Sequence, residues 1–271
     1  MPQPRSASEI FEELKQTKHK ITIDALDYYL VEGDLRLDEN QLLLYAFELA
    51  EQEQRKAGGA SGEQREPLVG IVDDEGRIVR WKKGLVLTYN VLRSSFASDA
   101  QYQTVVQAMR VATADWEAAC GVNFKHLGEL DGGVAPGSQA PLFRVRQFNA
   151  GGRFIAMAFF PDEPLDRREV IIDPSFFAPT LRFDRAGVLR HELGHVLGFR
   201  HEHILSEAPA ICPDEALGNI IQLSDYDPRS VMHYFCGGAD FGTRDLKITD
   251  VDRTAARKVY GPPDSEVHYC A

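Results

Sequence analysis

"HELGHVLGFRH", residues 191–201, places three of the chain's eight histidines within eleven positions. On a helix, residues four apart stand one turn above one another, so His191 and His195 project from the same face and take two corners of a tetrahedron. Glu192 lies about 100° round from His191, where it reaches a water at that site without displacing an imidazole. Gly198 supplies the third corner. A helix that ran straight on would aim position 201 elsewhere, whereas glycine adopts the left-handed conformation that ends a helix and turns His201 back toward the other two rings. Three neutral imidazoles leave a fourth position open, the pattern of a catalytic rather than a structural zinc ion. A bare HExxH recurs by chance on ordinary helices, and a lone histidine is usually a satisfied core or surface residue; the extended pattern with the glycine and third histidine is far more specific. The parts suit amide hydrolysis by one zinc ion with Glu192 as general base and then general acid.

Outward from this stretch, the chain from Gly84 reads as strands separated by helices, an α/β arrangement. "GLVLTYNVL", "VNFKHL", "LFRVRQF", "FIAMAFF" and "EVIIDPSFF" are short strands. The long segment "DAQYQTVVQAMRVATADWEAACG" carries Val105, Met109, Ala112 and Trp116 on one helical stripe. Asp184 caps the helix that holds the histidines, and a closing helix starts at Thr249. Residues 1–56 read as helical: "SASEIFEELKQ" opens with Ser8 before a Glu-rich turn, "DENQLLLYAFELAEQEQRK" has a capping arrangement of Asp38 and Gln41, and "VEGDLRL" is the loop between them. "AGGASGEQREP", residues 57–67, has no apolar period and reads as a linker. Two units are expected, 1–66 and 67–271, with a hairpin in "VGIVDDEGRIVRW" around Gly76.

The formal charge of −11 argues against a surface that tracks nucleic-acid phosphates. No apolar run approaches the roughly 20 residues needed to span a bilayer, and "MPQPRSASEIFEELKQ" is polar where a secretory leader is apolar. The four cysteines, Cys120, Cys212, Cys236 and Cys270, form no CxxC pair. They are open to any of three disulfide pairings or to remaining as thiols.

HExxHxxGxxH, together with "SVMHY" at residues 230–234, resembles the metzincin zinc endopeptidases, in which a methionine turn lies beneath the metal; Met232 matches that methionine. "GFRHEH" and "SVMHY" look like astacins, with Glu202 after the third ligand and Tyr234 where a tyrosine approaches the metal or the transition-state oxyanion. "AMAFFP" and "TDVDRTAARKVYGPP" look like matrixins. The astacin side is favoured because its matches touch the chemistry. The resemblance covers roughly residues 80–271 and implies a catalytic domain with a twisted mixed five-stranded sheet, two long helices and a C-terminal helix, preceded by the helical N-terminal region. It also implies an extended protein or peptide substrate, with "FIAMAFFP" either the edge strand that binds it or an internal strand. The Gly-rich calcium loop of matrixins is not visible.

By the same resemblance Cys120 and Cys270 sit where astacins place one disulfide, which leaves Cys212 with Cys236. Paired cysteines and the family favour a secreted protein, against the absence of a leader. "LVEGDL", residues 30–35, resembles the FxGD-type loop with which astacin propeptides place an aspartate on the zinc, Asp34 standing in the ligand position and Val31 where the family has an aromatic. The same aspartate suits an ordinary glycine turn. The alternative to a protease kept latent by its N-terminal region is a catalytically silent binding module whose cleft is filled by that region. Sequence gives no oligomeric state.

Overall fold

The computed structural model describes residues 4–57, 69–73, 75–133, 140–202, 220–233 and 243–266. The chain opens with helix α1 (Ala7–Thr17), which is capped by Ser6 rather than Ser8. Ser6 and Glu9 form a reciprocal capping box, the serine hydroxyl accepting from the Glu9 amide and the Glu9 carboxylate from the Ser6 amide. Three short strands follow, β1 (Lys20–Ile23), β2 (Leu26–Val31) and β3 (Leu35–Leu37), paired antiparallel in that order. Helix α2 (Glu39–Ala57) then begins on the expected Asp38–Gln41 box.

The N-terminal region is therefore not helical throughout. "KITIDALDYYLV" alternates with the strand period, and its two faces have different partners. Tyr29, Val31 and Leu35 pack with Ile10, Leu14, Leu42, Ala46 and Leu49 beneath α1 and α2. Ile21, Ile23, Tyr28 and Leu30 pack on Ala150, Phe154, Met157 and Ile171 of the larger unit. The aliphatic and phenylalanine side chains among these contribute about 1.5–3 kcal/mol each when fully buried, so the sheet is glued to its neighbour by its second face.

Beyond the expected linker, β4 (Val69–Ile71) leads to β5 (Val86–Val91), helix α3 (Asp99–Ala119), β6 (Asn123–His126), β7 (Phe143–Gln147), β8 (Ala156–Met157) and β9 (Glu169–Ile172). Helix α4 (Arg185–Val196), β10 (Phe199–Arg200), β11 (Ile220–Gln222) and helix α5 (Asp250–Tyr260) complete the order. The main sheet runs β6-β5-β7-β9-β8, parallel except for antiparallel β8 at the edge. All four residues of β9 are buried, as a strand covered on both faces requires. Val105, Met109, Ala112 and Trp116, the predicted stripe of α3, are fully buried in the same core as Leu189 and Leu193 of α4. This is the mixed five-stranded metzincin-like architecture that the resemblance implied.

The turn at Gly76 (φ +74°) does return Ile78 to Val72, but β4 pairs with β10 and β11 in a second small sheet. Cys120 ends α3 as a buried free thiol, its sulfur 3.7 Å from the Trp116 carbonyl. Burial pushes that thiol up to about 12. Cys212, Cys236, Cys270 and Tyr234 lie outside the described residues. No helix among the described residues is long and apolar enough to cross a membrane.

Candidate metal centre

Asp184 caps α4 by accepting from the Gly187 amide, and the helix carries His191, Glu192 and His195 through the core with little solvent exposure. Its far end is held from outside: the Trp81 indole donates to the Val196 carbonyl (2.7 Å) and the Tyr260 hydroxyl to the Leu197 carbonyl (2.6 Å). These are terminal carbonyls that a helix leaves without internal partners. Gly198 turns the chain at φ +90°. A β-carbon there would also meet the Val79 carbonyl oxygen at 2.6 Å, so both conformation and close approach require glycine. The turn brings His201 back as expected.

The three rings converge. His201 Nε2 lies 3.2 Å from Nε2 of both His191 and His195. On their outer sides, His191 Nδ1 is 2.7 Å from the Val231 carbonyl and His195 Nδ1 is 2.8 Å from the Phe199 carbonyl. A carbonyl only accepts, so in this assignment both Nδ1 atoms carry the proton and both Nε2 atoms present lone pairs inward. Lone pairs aimed at one another across such distances repel unless a cation lies among them, and imidazole with an oxygen ligand is the donor chemistry of zinc.

Asp34, which the sequence left between a ligand and a glycine turn, sits at this cluster. Its Oδ2 is 3.2 Å from His191 Nε2 and its Oδ1 is 3.2 Å from His201 Nε2. Among the described residues Asp34 Oδ1 is buried without a hydrogen-bond partner, a costly state that a bound cation relieves. The four side chains form the one group among the described residues whose donor atoms are close enough to hold a metal ion. Burial alone would raise the Asp34 carboxyl; the neighbouring imidazoles, His201 first and then His191 and His195, hold it well below the usual range. Burial and neighbouring His201 keep His195 neutral.

Glu192 is 2% exposed, and its Oε2 has no hydrogen-bond partner among the described residues. Burial, and then the Asp34 charge, hold its carboxyl well above the usual range. Beside it opens a cavity of about 430 Å³ walled by Phe154, Ile155, Val188 and Leu246, with Arg182 and Arg244 also lining it. Within "FIAMAFFP", β8 stands at the edge of the sheet and borders the same space through Ala156.

Met232 is fully buried under α4, and a β-carbon at Gly194 would run into its sulfur. The turn that carries it is fixed by Asp252 in the first turn of α5. That carboxylate accepts from the Ser230 hydroxyl (2.5 Å), the Val231 amide (2.9 Å) and the Thr249 amide (2.8 Å). One capping box thus starts the last helix and holds the floor of the site. Asp252 in this role was missed, although the Thr249 cap three residues before it was the available signal. Also missed were Phe160, whose ring meets His195 edge to face at 5.5 Å, His233, which pairs with the Tyr226 hydroxyl at 2.9 Å, and Glu32 with Arg200.

Residues 80–209 match the matrixin family model. A search of the curated proteins by sequence returned no match. Among solved structures, myroilysin is similar at 15% identity over 71% of this chain and 98% of its own, with a TM-score of 0.47. High choriolytic enzyme 1, a hatching enzyme zinc-protease from the medaka fish Oryzias latipes, is similar at 16% identity over 68% and 95%, with a TM-score of 0.43. The family match covers the helix and turn that bring the imidazoles together, so over that stretch the chain is similar to the matrixins, zinc proteases of the metzincin type.

Proposed function

We propose that the chain is an endopeptidase whose N-terminal region closes its own cleft. His191, His195 and His201 hold the zinc, and Met232 forms the floor beneath them. A zinc ion held there would supply a Lewis acid for the scissile carbonyl and would lower the pKa of water toward about 7. Glu192 takes the proton of the attacking water and delivers it to the leaving amine. Tyr234 donates to the developing oxyanion, as the astacin-like motif implies. The substrate lies extended along β8, whose free edge offers main-chain hydrogen bonds, and the apolar wall of the adjoining cavity receives one of its side chains. Asp34 occupies the fourth ligand position until the N-terminal region withdraws.

The observation that carries this reading is the Glu192 carboxylate, buried beside the converging rings with an oxygen that no described residue satisfies. A structural carboxylate in that state only costs stability, whereas a proton carrier must keep an oxygen available. Glu192→Ala is the test: zinc content should persist while casein cleavage by protein cut between residues 58 and 68 is lost, and undiminished cleavage refutes the role. The filled fourth position also suits the silent binding module. That reading prevails if neither the intact chain nor the cut form cleaves any protein in zinc-replete buffer.

A further inference from the structure

The turn between β2 and β3 sends two carboxylates inward. Glu32 takes φ +53° and Gly33 φ +92°, and the Glu32 side chain is fully buried. A left-handed backbone at a non-glycine residue is strained and persists where its surroundings hold it. Here the surroundings are specific: one carboxylate oxygen pairs with the Arg200 guanidinium and lies 3.2 Å from the Tyr45 hydroxyl, which donates to it. The other oxygen is 3.4 Å from His201 Nδ1.

The three rings of the metal centre therefore differ on their outer sides. His191 and His195 turn Nδ1 to main-chain carbonyls of the larger unit. His201 turns Nδ1 toward the carboxylate of Glu32, far earlier in the chain. The outer partner of a metal-binding histidine fixes the ring and raises its basicity. Arg200, only 7% exposed, is paired with that same carboxylate.

We propose that Glu32 is a positioning residue: clamped on Arg200, it holds the β2–β3 turn in the cleft independently of the metal and orients His201. The N-terminal region then contributes two carboxylates with separate tasks, Asp34 at the fourth ligand position and Glu32 behind the third ring. The proposal rests on the reading of Asp34 as the occluding ligand.

Two measurements on the full chain test it: zinc release into a chromophoric chelator, and amide exchange of residues 26–37 in metal-free protein. Glu32→Gln should release zinc about tenfold faster or more and speed exchange of the turn even without metal. Asp34→Asn should speed zinc release but leave metal-free exchange as in the native chain. Native behaviour of Glu32→Gln in both measurements overturns the proposal, and so does equal loosening of the metal-free turn by Asp34→Asn. Should Glu32→Gln fail to fold, Tyr45→Phe carries the test: faster exchange confined to residues 26–37, with α3 unchanged, supports the clamp, and no change there overturns it. Casein cleavage by Asp34→Asn reads latency separately, so a failure of that reading is told apart from a failure of the clamp.

Discussion

Two carboxylates from distant parts of the chain line one cavity beside His191, Glu192 from within α4 and Asp34 from the β2–β3 turn. Both are almost fully buried. Asp34 has histidines directly on its oxygens and is held as the anion. Glu192, with burial and the neighbouring Asp34 charge against ionisation, is pushed the other way. Two buried carboxylates are thus driven in opposite directions by their immediate neighbours.

The sharpest way to break this contrast is to remove each carboxylate in turn. Glu192→Ala in the cut protein should lower casein cleavage by about 10²–10⁴-fold, the usual worth of a general base, with zinc retained by elemental analysis. Asp34→Asn in the intact chain should act in the opposite sense and raise cleavage by about tenfold or more, within the ordinary range of coupling between an internal ligand and an active site. Equal signs for the two substitutions would end the distinction.

Removing the ion itself should affect both regions together. If zinc is bound at about a thousand times its dissociation constant, stripping it costs about 4 kcal/mol, or about 8–16 °C in the melting temperature of a unit this size; differential scanning calorimetry with and without EDTA checks this. Gly194→Ala drives a methyl group into the Met232 sulfur and should cost about 1–3 kcal/mol, the usual range for overpacking, read from urea unfolding. The smallest effect is expected at Cys120. Iodoacetamide should leave it unmodified in the native chain and label it fully in guanidinium, by peptide mass mapping, because a buried thiol pushed up to about 12 offers almost no thiolate.

The sequence by itself determined the arrangement on α4 and its turn. Helical period puts His191 and His195 on one face, and Gly198 is needed wherever the chain must turn left-handed; neither depends on distant residues. The same holds for the caps at Asp38, Asp184 and Thr249, which act within three residues. The β1–β2 hairpin escaped notice because its two-residue turn, Asp24 and Ala25 at φ +50° and +66°, contains no glycine or asparagine to announce it. Only the tertiary structure decided that Asp34 reaches the rings, that Glu32 pairs with Arg200 and that β4 joins β10 and β11. Each of these joins residues far apart along the chain, where no local period exists, and burial against a particular partner selects among options that spacing leaves equal.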